Sequence, residues 1–196
     1  MKYNEHLDLE GQHAFLGASQ HAWLNYSKDQ LEERWKNERA KREGTELHAL
    51  AEQLIRKKRK LRGNDTLSSY VNDAIGYGMT PELLLFYSYN CFGTADAIKY
   101  DERKKLLRIH DLKTGYRPAY RIDKETDEVI LDQVRIYAAL FCLEYGIEPS
   151  DIDMELRIYQ NDEIFKDIPK PEDINEIMEK IISFDKLIDW IKIEER

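Results

Sequence analysis

CFGTADAIKYDERKKLLRIHDLKTG, from Cys91 to Gly115, is the stretch that decides the fold. In both CFGTADAIKY and KKLLRIHDLK the apolar residues recur at every second position, the period of a strand with one face in a core. The polar run Asp101 to Lys104 lies between them and predicts an antiparallel hairpin. LLLFYSYN, just upstream, reads as a third strand. On the C-terminal side the period changes to that of a helix, from about Ile130 to Tyr145, closed by Gly146 and Pro149. IDMELRIYQ and EIFKDI then predict a hairpin turning at Asn161 and Asp162. A last helix, about 172–192, turns Ile174, Ile177, Ile181, Phe184, Ile188 and Ile191 inward.

On the N-terminal side, about 20–80, the pattern is helical. Ser27 and Gln30 have capping-box spacing ahead of Leu31 and Trp35. A helix from about Thr45 to Arg59 carries an apolar stripe of Leu47, Leu50, Ala51, Leu54 and Ile55. Leu67, Tyr70, Val71, Ala74 and Ile75 mark a shorter helix that Gly76 and Gly78 end. With no repeat or low-complexity linker, the order predicts a single α/β domain over 1–196. Its centre is a mixed β-sheet flanked by helices.

The composition, 42 % hydrophobic and 35 % charged, is that of an ordinary globular chain and not of a disordered tail. No apolar run approaches the ~20 residues that cross a bilayer. The polar, acidic start MKYNEHLDLEGQ reads as neither signal nor transit peptide. Cys91 and Cys142 lie in apolar surroundings and suit buried thiols in a reducing compartment, so a cytoplasmic location is expected. A net charge of −8 disfavours coating of nucleic acid through bulk electrostatics. The charge is nevertheless asymmetric. Arg34 to Arg62 holds eleven basic residues against four acidic ones, whereas the chain from Glu144 onward is strongly acidic. That pattern suits either a polyanion held on one side or a solvated helix face.

The chemistry sits in four places. Leu107, Ile109, Asp111 and Lys113 share one face of the second hairpin strand, so a carboxylate and an ammonium extend a buried row. Buried charge is costly unless it is paired or bound to a metal, and an isolated D-x-K serves well as a structural ion pair. On the neighbouring strand Asp96 follows Phe92 and Thr94 on one face, and two converging carboxylates invite a divalent cation. His48 and Glu52 are one helical turn apart; a histidine at that position also suits the edge of a core. Gln133 interrupts the apolar stripe Ile130, Val134, Tyr137 and Phe141, placing an amide where a hydrocarbon would pack better.

Gly44-Thr-Glu-Leu-His48, Gly93-Thr-Ala-Asp96, Asp111-Leu-Lys113-Thr114-Gly115 and Gln133-Val-Arg-Ile-Tyr137 occur in that order on helix, strand, strand and helix. The set resembles the PD-(D/E)XK nuclease superfamily in its RecB-like branch, over roughly half the chain from Gly44 to Tyr137. The resemblance implies a restriction-endonuclease-like core and a metal held by His48, Asp96, Asp111 and the Leu112 carbonyl. It implies that Lys113 orients the attacking water and that Gln133 and Tyr137 position the nucleophile or the phosphate. Glu52 matches a glutamate that some relatives place near the metal. Adaptation nucleases of this branch carry four cysteines for an iron–sulfur cluster, which Cys91 and Cys142 do not supply.

Asp oxygens and one imidazole suit Mg²⁺ or Mn²⁺, and the histidine favours Mn²⁺. Arg56, Lys57 and Arg59, with Arg39, Lys41 and Arg42, are candidates to track phosphates. Tyr116, Arg117 and Tyr120 are candidates to stack on or grip an entering strand. The expected activity is metal-dependent hydrolysis of DNA, as an exonuclease or flap-trimming enzyme of recombination, repair or phage replication, with a protein of such a complex as a further partner. A module that binds nucleic acid or protein without turnover is the alternative. It leaves two inward carboxylates without a purpose.

Overall fold

A computed structural model describes residues 1–12, 14–37, 46–114 and 118–194. Arg39, Lys41, Arg42, Gly44, Thr45, Gly115, Tyr116 and Arg117, which the sequence reading singled out, lie outside the described residues.

Three helices lead into the sheet: α1 (Lys28–Asn37), α2 (Glu46–Arg56) and α3 (Thr66–Tyr77). Ser27 and Gln30 form the expected reciprocal cap on α1, Ser27 N–H donating to Gln30 Oε1 and Gln30 N–H to Ser27 Oγ. Asp65 caps α3 by accepting from the Ser68 N–H. Gly78 ends that helix in the left-handed region at φ 62°, while Gly76, expected to share that task, lies within the helix. Two further expectations fail on α2. It stops at Arg56, so the basic run beyond it is a connection. Leu50 is exposed, which leaves Leu47, Ala51, Leu54 and Ile55 as the packed stripe.

The strands β1 (Thr80–Ser88), β2 (Cys91–Asp101) and β3 (Leu106–Leu112) form an antiparallel meander. A short ribbon, β4 (Arg121–Ile122) with β5 (Val129–Ile130), precedes α4 (Asp132–Tyr145). Then β6 (Asp153–Gln160) pairs parallel to β3, and β7 (Glu163–Asp167) closes the edge. The hairpin between them turns at Asn161 and Asp162, both at positive φ, as its sequence predicts. The central sheet is five-stranded and mixed, ordered β1-β2-β3-β6-β7. Helices flank it: α4 and α5 (Pro171–Glu194) pack in the larger core, and α2 and α3 cover the smaller one. This is the α/β arrangement expected of a restriction-endonuclease-like core. Among the described residues no helix is long and apolar enough to cross a membrane.

The start of α4 is fixed from across the sheet. Asp167, at the end of β7, accepts the Leu131 N–H at 2.9 Å and a two-pronged contact from Arg135 at 2.6 and 2.8 Å. Both Asp167 and Arg135 are buried. A planar fork on a buried carboxylate sets the rotation of the helix, and with it the direction of Gln133 and Tyr137. Asp167→Ala would leave the guanidinium with only the half-exposed Asp173 beside it. We expect a loss of about 3 kcal/mol in urea unfolding, and a smaller loss for Asp167→Asn, which retains one acceptor.

Candidate metal and catalytic centre

The register of the meander sets the centre. Ala97 pairs with His110 and Ile98 with Ile109, so one step further Asp96 faces Asp111. Pro81 pairs with Ala97 and Leu83 with Ala95, so Glu82 faces Asp96 on the other side. Three carboxylates therefore stand in a row across β1, β2 and β3. His48 reaches the row from α2, its Nδ1 3.3 Å from Asp96 Oδ2. The second Asp96 contact is the Leu112 N–H, which donates to the same oxygen at 2.8 Å. Leu112 is thus tied to the centre through its amide; the carbonyl role implied by the resemblance is a separate matter.

Asp111 is fully buried. Its Oδ1 accepts from Gln133 Nε2 at 2.9 Å, and Lys113 Nζ stands 2.8 Å from its Oδ2. Tyr137 OH lies 3.4 Å from the same Gln133 nitrogen. The amide that interrupts the apolar stripe of α4 is thereby accounted for: it is the partner of a buried carboxylate. Gly93 has a steric reason as well. A Cβ there would meet the Tyr137 ring at 3.1 Å and the Ala18 nitrogen at 3.5 Å. His110, between Ile109 and Asp111, turns to the other face of β3. There Tyr159 OH lies 3.2 Å from its Nδ1, and burial lowers its pKa to about 3, so it is neutral.

His48, Glu82 and Asp96 offer ligand atoms within 4.8 Å of one another. Donors around one divalent cation at about 2.1–2.5 Å stand at comparable separations, so these three side chains could hold a metal ion. Asp111 adjoins the set, its oxygens held meanwhile by Gln133 and Lys113. The electrostatics describe a site short of positive charge. Burial, then the Asp96 charge, raise Glu82 to about 7. Burial also raises Asp111. The contact with Asp96 raises His48 against the opposing effect of burial. For Lys113 burial disfavours the charge, but Asp111 and then Asp96 outweigh it and raise its pKa, so the ammonium persists.

Glu82 is the member that reading by motif missed. PELLLFYS offers no spacing that marks it, but its backbone does: φ is +48°, a left-handed conformation unusual for a residue other than glycine inside a strand. Glu82 and Glu52 also line a cleft of about 780 Å³ that runs along β1 and the N-terminal segment. Glu52 itself is bound to Arg56 at 2.7 Å, and Arg56 also reaches the Pro81 carbonyl at 3.5 Å. Of the expected phosphate-tracking residues, Lys57 and Arg59 are exposed. Tyr120 is half-buried and stacked by one face on Phe165, with centroids 4.2 Å apart.

Neither a family model nor a curated protein matches the chain.

Glu82 provides a test of this electrostatic description. Its pKa is raised, so burial of the side chain costs nothing below about 4.5, where it is protonated folded or unfolded. The cost builds up between about 4.5 and about 7, where the unfolded chain has lost the proton that the folded protein keeps, and is constant above that range. In chelator, Glu82→Gln should melt with the wild type near pH 4 and above it by about 5 °C at pH 8. Equal melting temperatures at both pH values would contradict the described environment.

Proposed function

We propose that this chain is a metal-dependent nuclease that hydrolyses phosphodiester bonds of DNA. The observation that carries the reading is the row Glu82, Asp96 and Asp111 with His48 above it and Lys113 on its far member. His48, Glu82, Asp96 and Asp111 would hold Mg²⁺ or Mn²⁺. When bound, the ion lowers the pKa of a water and offsets the charge of a phosphodiester. The side chains supply the rest. Gln133 keeps Asp111 turned toward the row, and Tyr137 stands behind Gln133. Lys113 holds one N–H toward Asp111, leaving others for the attacking water and for the charge that develops on the phosphoryl oxygens. Lys57 and Arg59, exposed beyond α2, are placed to meet the backbone of the strand. The chain is acidic overall, which favours a strand end or flap over a long coated duplex.

Two measurements test the proposal. With Mn²⁺, labelled single- and double-stranded DNA should be cleaved, and Lys113→Ala should lower the rate by about 10²-fold or more. Equal cleavage by the variant, or no metal-dependent product from the wild type, would defeat the reading. In calorimetry, Mn²⁺ should bind the wild type and bind Glu82→Gln and His48→Ala at least about ten-fold more weakly.

A further inference from the structure

Three helices close in the same way, on a residue in the left-handed region followed by an N–H that reaches back five positions. For α3 the residue is Gly78, at φ 62°, and Met79 N–H donates to the Ala74 carbonyl. For α4 it is Gly146, at φ 61°, and Ile147 N–H donates to the Cys142 carbonyl. For α2 it is Lys58, at φ 51°, and Arg59 N–H donates to the Leu54 carbonyl at 2.9 Å. A Cβ in that conformation stands too close to the following carbonyl oxygen, so glycine commonly takes the position. A cation is therefore kept on α2 where it costs stability. A basic group near a helix C-terminus is favourable in itself. Arg56 already supplies one in the last turn of α2, however, and the glycine-capped helices α3 and α4 carry none there.

Lys58 belongs to a run of five cations in six residues, Lys57, Lys58, Arg59, Lys60 and Arg62. All five are exposed, and none has an ion-pair partner among the described residues. The run is nevertheless tied down. Asn72 of α3 holds the Leu61 backbone from both sides: its Oδ1 accepts the Leu61 N–H and its Nδ2 donates to the Leu61 carbonyl, both at 2.9 Å. Just beyond Arg62, the Thr66 N–H and hydroxyl donate to Asp162 on the β6–β7 turn at 2.7 and 2.9 Å. Like charges fixed close together repel, and a polyanion relieves them. The run also starts near the carboxylate row. His48 and Arg56 are two turns apart on α2, about 12 Å, and Arg56 lines the same cleft as Glu82. That distance is the rise of about three or four nucleotides.

We propose that the connection 57–62 is a preformed anchor for the phosphate backbone of DNA a few nucleotides from the cut, with Lys58 as a direct phosphate contact. The proposal rests on the nuclease reading for the identity of the polyanion, and adds to it a binding site separate from the metal centre. An anchor already held in shape loses little freedom on binding, so a few contacts suffice. Contacts to phosphate carry no sequence information, which suits an enzyme that acts on a strand end or flap wherever it occurs. The lysine at the cap is then a stability cost retained for binding.

Anisotropy of a labelled single-stranded 20-mer in Mg²⁺ tests this, with every protein carrying Lys113→Ala to prevent cutting. Lys58→Gly should bind about five-fold more weakly at low salt, and the slope of log Kd against log salt should fall by about 0.7. The same variant should melt about 2–4 °C higher, because glycine suits the cap. Lys58→Arg, which keeps the charge, should bind within about two-fold of the parent. Unchanged affinity and slope in Lys58→Gly overturn the proposal, as does an equal loss in Lys58→Arg or a parent that binds no DNA. A lower melting temperature in Lys58→Gly would assign the lysine to the helix end and overturn it too. So would loss of a dimer in sedimentation with DNA binding unchanged, which would give the run to the acidic half of a second copy. The two readings fail separately. A wild type that cuts DNA while Lys58→Gly binds as tightly defeats the anchor alone. A chain that binds through Lys58 but yields no metal-dependent product defeats the nuclease reading alone.

Discussion

Repulsion among Glu82, Asp96 and Asp111 is the constraint to which the rest of this structure answers. The pairing of β1, β2 and β3 places the three at facing positions, so no rotation of a strand separates them without breaking the sheet. In water, neighbouring carboxylates repel weakly; at the edge of a core they repel strongly. The protein offsets this with what it has: a histidine on Asp96, a lysine and an amide on Asp111, and a backbone N–H on Asp96. The compensation is incomplete at Glu82, whose acid is driven upward to about 7. Crowded carboxylates with a raised pKa beside a cleft mark a candidate functional centre.

The supporting structure is built to keep that arrangement from relaxing. α4 brings Gln133 to Asp111, and its rotation is set by the buried fork of Arg135 on Asp167 from the far edge of the sheet. The same carboxylate takes the Leu131 N–H at the helix start. Gly93 lets Tyr137 lie against β2, so the tyrosine reaches the amide that it backs. Apart from the Gln133–Tyr137 pair, one helical turn apart, these contacts join residues more than twenty positions apart, and each acts by fixing a direction more than by adding attraction. A carboxylate displaced by an ångström no longer shares a cation with its neighbours.

Much of this was legible in the chain. Alternation over Cys91 to Lys113 predicted the meander, the turn residues Asn161 and Asp162 predicted the last hairpin, and Ser27 with Gln30 predicted a cap that forms as drawn. Asp96, Asp111, Lys113, His48 and Gln133 were each marked by a polar group in an inward-facing row. Local pattern was weaker where a side chain's partner is distant. Nothing in the polar stretch around Tyr120 foretells that Phe165 of β7 stacks on one face of its ring. Nor does the basic run foretell that Arg56, although exposed, contacts Glu52 and the Pro81 carbonyl.

Read alone, the sequence determined the main helices and strands, the face on which each charged residue of the meander lies, and hence the convergence of Asp96 with Asp111. Those are consequences of periodicity, and periodicity is local. Only the tertiary structure decided which residue of β1 completes the row, because that depends on the pairing register of β1 with β2 and on the left-handed backbone of Glu82. It alone also brought the 3₁₀ turn Ala18–Asn25 against α4. Register and packing are sums over many distant contacts, and no window of sequence contains them.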